Sequence, residues 1–306
     1  MDSAKIKNII KLGRGLSPAS AIMYFLGIFF ALSIGATFDI WKIVLGFFIV
    51  LPGIFVGTFT NSYYDVDIDK NSTATLVSGG TKILSEHPEL LNVIRNLIIF
   101  CFSLSAVLGL LFTIVFSYPF TFFAFVLISI FLAWAYTAPP IRLVYRGLGE
   151  LWIMVMGGFI VGGFGYFVVR GTIDLTFLLF SVPLMLIMFA FAIYVEIPDR
   201  AADFKGHKKT IVVRKGERFG FIVGSLALAG STFCYLLYYI LSLFPGDQSF
   251  LIASLYSIVP LGLAVRGFFK YRSNPKTSIS SIVSSSIGIA SFIIFMDAYF
   301  VFKILT

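Results

Sequence analysis

Hydrophobic residues run through this chain in nine long blocks separated by polar connections, near 19–37, 40–62, 95–115, 118–136, 148–170, 174–195, 219–241, 249–268 and 281–303. Each block is close to the roughly 20 apolar residues that cross a bilayer core as a helix. The pattern predicts an all-α integral membrane protein of about nine transmembrane helices around a central cavity. No Pro/Gly/Ser linker divides it, so residues 1–306 are expected to form one polytopic domain. The third and fourth spans can be separate only if Phe116-Ser117-Tyr118-Pro119 makes a very tight turn. Two connections, 63–94 and 196–218, are long and predict helical caps over the cavity. The first follows the second span and the other follows the sixth. That four-span offset suggests a parallel repeat to which the ninth span is added.

Composition agrees with this class. The chain is 58% hydrophobic and 12% charged, against roughly 25% charged in soluble proteins. With the N-terminus in the cytoplasm, 20 Lys and Arg residues fall on the inner side and only Lys42, Arg170 and Lys303 outside. This positive-inside bias predicts a C-terminus outside, and with no organelle signal read in the sequence the expected location is the cytoplasmic membrane. The net charge of +8 is spread over five short regions rather than gathered on one face, so no nucleic-acid partner is expected. Residues 5–12 alternate Lys5, Lys7 and Lys11 with Ile6, Ile9, Ile10 and Leu12, as in a short helix lying on a membrane surface. The apolar run after them is too long for a signal-peptide core and reads as the first span. Cys101 and Cys234 lie within predicted spans at no metal-binding spacing.

Against this background two acidic clusters stand out. They are Asn61-Ser62-Tyr63-Tyr64-Asp65-Val66-Asp67-Ile68-Asp69 and Glu196-Ile197-Pro198-Asp199-Arg200-Ala201-Ala202-Asp203, each at the end of a span. Asn61, Asp65 and Asp69 are spaced i, i+4 and i+8, so one helix face is expected to present all three. Capping a helix end explains one or two acids but not the regular spacing or its echo at Asp199 and Asp203. Hard divalent cations take oxygen ligands, and Mg²⁺ is held by carboxylates together with substrate phosphates. The two clusters therefore predict a pair of Mg²⁺ ions clamping a diphosphate, with the metals reversing the sign of an otherwise repulsive site. Basic residues are expected to assist from the same level. These are Arg142 and Arg146 beyond the Pro139-Pro140 turn, and Lys205, His207, Lys208 and Lys209 after the second cluster. Ser78-Gly79-Gly80-Thr81-Lys82 is a weaker candidate for wrapping a phosphate. Asp297 lies within the last apolar run, where an acid is either functional or bonded to a neighbouring helix.

These residues resemble the UbiA-type intramembrane aromatic prenyltransferases. Asn61-x-x-x-Asp65-x-x-x-Asp69 matches that family's first Asp-rich motif. Asp199-x-x-x-Asp203 followed by Lys205-Gly206-His207-Lys208-Lys209-Thr210 is similar to its second. Ser62 departs from the pattern, which usually has a further aspartate there. The Tyr136–Glu150 segment, Ser78-Gly79-Gly80 and Glu196-Ile197-Pro198-Asp199 look most like the branch that prenylates 1,4-dihydroxy-2-naphthoate in menaquinone synthesis. Thr73-Ala74-Thr75-Leu76 stands where the branch acting on geranylgeranylglyceryl phosphate usually has an Arg-Pro pair.

The resemblance implies a mechanism. Mg²⁺ held by Asn61, Asp65, Asp69, Asp199 and Asp203 would neutralise a departing diphosphate, helped by Arg142 and Lys205. The allylic cation would then be attacked by a ring carbon. Tyr136 and Tyr64 are candidates to position the ring or the diphosphate, and Arg146 and Lys82 to bind substrate. The implied partners are a polyprenyl diphosphate, an aromatic acceptor and the lipid bilayer. Another acceptor in the same fold is the alternative. A secondary transporter is the remote one, since its acids belong near mid-membrane rather than at the helix ends.

Overall fold

The computed structural model of the protein describes residues 3–13, 18–70, 80–244 and 247–306, and within them every regular element is helical. In chain order these are α1 (Ser3–Leu12), α2 (Pro18–Ser33), α3 (Ile40–Tyr64), α4 (Val66–Asp69), α5 (Ile83–Glu86), α6 (Leu91–Val115) and α7 (Phe120–Ala135). Next come α8 (Gly149–Val155), which runs through a π-helical turn (Met156–Val161) into α9 (Gly162–Arg170), and α10 (Leu175–Glu196). The chain continues with α11 (Arg200–Lys205), α12 (Ile211–Lys215), α13 (Glu217–Ile240), α14 (Ser249–Ser273) and α15 (Ser278–Leu305). Among the described residues seven helical segments are long and apolar enough to cross a membrane. Ala19–Ser33 and Phe120–Ala135 are shorter apolar helices. The protein is a multi-pass membrane protein.

Local chemistry sets the ends that frame the bundle. The first span was expected to run to residue 37, yet α2 stops at Ser33. Gly35 adopts φ +89° there, while Gly35 N–H bonds to Leu32 O and Ala36 N–H to Ala31 O. That pattern is a Schellman stop. The same device makes the tight turn after α6: Ser117 takes φ +53°, with Ser117 N–H bonded to Ile114 O and Tyr118 N–H to Thr113 O. Asp39 and Asp174 start α3 and α10 by accepting amide hydrogen bonds from Trp41 and Lys42, and from Phe177.

Glycines then let the helices approach closely, as is common between membrane helices. A Cβ on Gly27 of α2 would lie 1.8 Å from the carbonyl oxygen of Gly162, and one on Gly165 would lie 1.9 Å from that of Tyr24. The α2 and α9 backbones therefore touch. α3 packs on α6 and α7, α10 on α8 and α13, and α13 through α14 and α15 back onto α2. Aromatic side chains fill the interior: Phe30 of α2 stacks on Phe180 of α10 at 3.9 Å and meets Phe300 of α15. Large apolar residues such as Trp41, Phe48, Phe100 and Phe233 face outward, as lipid contact requires. α1 forms as the short basic helix that the sequence predicts. Leu12 is buried beside Val56 and Phe59, whereas Ile6 and Ile10 remain exposed.

Candidate active site

The two acidic clusters meet at one end of the bundle. They form the head of a cavity of about 430 Å³. Asn61, Asp65 and Asp69 line it from one side, Asp199 and Asp203 from the other, and Tyr136 and Lys208 lie among them. Deeper in, the walls become apolar, with Ile49, Ile54, Ile130, Met156, Ile160 and Phe164. The π-helical turn supplies part of this wall, and such turns commonly mark functional places in helices. Gly53, Gly57 and Gly157 also line the cavity.

The expected continuous helix through the first cluster is not what forms. α3 ends at Tyr64, Asp65 sits in the break with φ −100° and ψ 14°, and Asp69 belongs to the separate turn α4. The cause lies in the partners of Asp65. Its carboxylate accepts a hydrogen bond from the Tyr145 hydroxyl at 2.5 Å and pairs with Lys208 Nζ at 2.8 Å. The ammonium of Lys208 also lies 3.3 Å from Asp203 Oδ1, so one cation bridges both clusters. Asp69 is buried under Gly80, where an added Cβ would fall within 1.5 Å of its carboxylate. A side chain at position 80 would have to displace that carboxylate. Ser78 and Gly79, the rest of that candidate phosphate loop, and Thr73-Ala74-Thr75-Leu76 lie outside the described residues.

Electrostatics follow from this burial. Burial alone would push the Lys208 ammonium down, but Asp65 and Asp203 outweigh it and hold its pKa above the usual lysine value. Burial raises the Asp203 carboxyl despite Lys208, and burial next to Asp65 raises the Tyr145 phenol. Among the described residues no three His, Cys, Asp or Glu side chains close on a single point. The donors share a cavity head, with Lys208 supplying its positive charge.

The remaining candidates fall elsewhere. Tyr64 and Lys205 line a neighbouring groove with Asp67, Tyr145 and His207. Arg142 takes a left-handed backbone, φ +49°, which carries its guanidinium over the Tyr145 ring at 5.2 Å. Arg146 donates to the Pro140 carbonyl at 2.9 Å. Lys82 is exposed beside α5. Arg142, Arg146 and Lys82 are not among the cavity-lining residues. Ser62 is buried outside the lining, its hydroxyl without a hydrogen-bond partner among the described residues.

Sequence reasoning passed over several residues that the fold brings in. Tyr145 and Glu150 fell in a segment read for its arginines, and Lys208 in a run read as generally basic. Glu150 is buried and accepts the Ile211 backbone N–H. Trp152 lines the cavity in a tilted stack with Tyr136, centroids 4.4 Å apart, and its indole N–H is fixed to the Leu132 carbonyl.

An all-helical membrane protein with an acid-lined cavity head and an apolar interior is the class that this geometry defines. The model of the UbiA prenyltransferase family matches residues 20–286, so the chain belongs to that family and is a prenyltransferase. No curated protein matches the chain. Among solved structures, a UbiA homolog from Archaeoglobus fulgidus bound to DMAPP and Mg²⁺ is similar at 14% identity. That match covers 95% of this chain and 99% of the other, with a TM-score of 0.66. A digeranylgeranylglyceryl phosphate synthase matches at 18% identity over 99% and 100% of the two chains, TM-score 0.67. A UbiA homolog from Aeropyrum pernix K1 matches at 16% identity over 92% and 98%, TM-score 0.64. At these identities the likeness is one of fold.

Proposed function

We propose that this prenyltransferase moves a polyprenyl group from an allylic polyprenyl diphosphate to 1,4-dihydroxy-2-naphthoate, with two Mg²⁺ ions, at the cytoplasmic face of the cell membrane. The observation that carries the reading is the single cavity with five oxygen-donor side chains at its head and an apolar interior. Asn61, Asp65, Asp69, Asp199 and Asp203 would hold the ions. The donor set suits a hard cation, and Lys208 already draws Asp65 and Asp203 together as a positive charge would. Bound Mg²⁺ supplies neutralisation of the charge that builds on the departing diphosphate.

The chain's own side chains account for the rest. Tyr145 orients Asp65. Lys208 offers an ammonium to a diphosphate oxygen once the acids engage metal. The apolar walls take the isoprenoid tail and keep water from the allylic cation. Tyr136 and Trp152 put aromatic rings in the cavity wall against which an aromatic acceptor can pack. Arg142, over the Tyr145 ring, and Lys205, in the neighbouring groove, lie outside the cavity lining, a placement that suits guiding the diphosphate inward.

Fold similarity to a digeranylgeranylglyceryl phosphate synthase makes geranylgeranylglyceryl phosphate the second acceptor to test. Purified enzyme given an allylic diphosphate, Mg²⁺ and both acceptors together decides the matter by mass spectrometry. The prenylated, decarboxylated naphthoate product supports the reading. Product from the glyceryl phosphate alone would overturn the acceptor and keep the chemistry.

A further inference from the structure

Glu196, the last residue of α10, is 7% exposed and lines the cavity, yet no N–H or hydroxyl donor among the described residues reaches either of its carboxyl oxygens, and its hydrogen bond is with the neighbouring carboxyl of Glu150. Burying a carboxyl whose partner is a second carboxyl, with no donor to satisfy its remaining oxygen, costs free energy. Its surroundings explain why the carboxyl stays there. Glu150, its acidic neighbour, is already engaged by the Ile211 amide. Gly149 flanks the carboxyl on another side, where an added Cβ would make ordinary contact at 3.6 Å from Glu196 Oε1. The open direction is the cavity, whose lining near this level also holds Tyr136 and Trp152. Two residues separate Glu196 from Asp199, so it stands beside the acid-lined head without belonging to the D-x-x-x-D pair.

The geometry points to Glu196 as the residue that receives the acceptor. A carboxyl oxygen of Glu196 accepts a hydrogen bond from a hydroxyl of the acceptor while the ring lies against Tyr136 and Trp152. This rests on the prenyl-transfer reading above and deepens it by naming the acceptor class, a hydroxylated flat ring. A site built to pair a hydroxyl discriminates strongly against analogues lacking it, because its own buried oxygen is then left unpaired.

The test uses the full-length enzyme with Mg²⁺, an allylic diphosphate and a dihydroxyarene acceptor, comparing wild type with Glu196→Gln and Glu196→Met. Glutamine keeps a carbonyl acceptor, and methionine keeps the volume without one. The acceptor KM is expected to rise about tenfold or more in Glu196→Met and by less in Glu196→Gln. The donor KM and the Mg²⁺ requirement are expected to stay within about twofold of wild type, as for a residue outside the metal set. Methylating the acceptor hydroxyls should impair wild type and leave Glu196→Met little changed, a coupling that a merely structural role would not give.

Unchanged acceptor KM in both variants would overturn the proposal alone. A Mg²⁺ activation midpoint moved to clearly higher concentration in Glu196→Gln would overturn it by making Glu196 a metal ligand. Absence of Mg²⁺-dependent diphosphate release in wild type would defeat the prenyl-transfer reading itself, and the proposal with it.

Discussion

Lys208 Nζ lies 2.8 Å from Asp65 Oδ2, joining the loop after α11 to the end of α3 across the head of the cavity. The same ammonium reaches Asp203, so removing it leaves two buried carboxylates facing one another. Breaking a buried ion pair by deleting one partner costs on the order of 3–5 kcal/mol. Lys208→Met is therefore expected to lower the melting temperature of metal-free protein by several degrees. Added Mg²⁺ should restore more stability to this variant than it adds to wild type. Thermal unfolding in detergent, with chelator and with Mg²⁺, checks both halves, and a variant as stable as wild type in chelator would contradict the bridge.

Tyr145 acts on the cluster through Asp65, to which its hydroxyl donates at 2.5 Å. Groups that orient metal-binding side chains typically carry about 10–100-fold in metal affinity or activity. Tyr145→Phe should weaken Mg²⁺ activation by about that range without changing the melting temperature of metal-free protein by more than a degree or two. A Mg²⁺ titration of diphosphate release measures it, and an unshifted midpoint would remove Tyr145 from the site.

The α2–α9 contact depends on absent side chains. Gly165→Ala would force a Cβ to within 1.9 Å of the Tyr24 carbonyl oxygen, against backbone that cannot swing aside. Overpacking of this kind costs about 1–3 kcal/mol or more. Reduced yield of folded protein is expected, read as the monodisperse fraction in size-exclusion chromatography. Gly262→Ala, with open space at its Cβ, is the matched control and should behave as wild type.

At the other end of the bundle, Asp247 pairs with Lys303 at 2.8 Å and accepts from the Ser249 amide and hydroxyl. Burial alone would raise its carboxyl, but Lys303 and Ser249 outweigh burial and hold it below the usual aspartate value. A carboxyl depressed on folding stabilises the protein above its unfolded pKa, near 3.9, and that contribution disappears as pH falls through the folded pKa. The pair is partly exposed, so about 1 kcal/mol is the expected scale. Wild type should melt above Asp247→Asn at pH 6, and the gap should close toward pH 3. A gap independent of pH would assign the stabilisation to packing.

Much of this architecture is legible in the sequence because hydropathy reports burial in lipid directly. The apolar blocks became helices, and the turn at Ser117 formed where only a tight stop would fit. The spacing of Asp65, Asp69, Asp199 and Asp203 likewise announced acids that line one cavity. What spacing could not convey is partnership across the chain. Nothing periodic tells Lys208 from Lys205 or Lys209, yet only Lys208 of the three lines the cavity. Arg142 looked equivalent to its basic neighbours until a left-handed backbone turned it onto Tyr145. Asp65 broke the helix that i, i+4 reasoning continued, because two partners from distant segments hold it. α2 was overextended for a related reason, since a glycine stop outweighs four further residues of moderate hydropathy.

The central claim is that carboxylates from both clusters hold metal for diphosphate departure. Release of diphosphate from an allylic polyprenyl diphosphate, with and without Mg²⁺, by wild type, Asp65→Asn and Asp199→Asn tests it most directly. The account predicts Mg²⁺-dependent release by wild type, and rates lower by about a hundredfold or more in both variants, the scale on which charge stabilisation acts in transition states. Near-normal release by either variant, or release by wild type that ignores Mg²⁺, would contradict it.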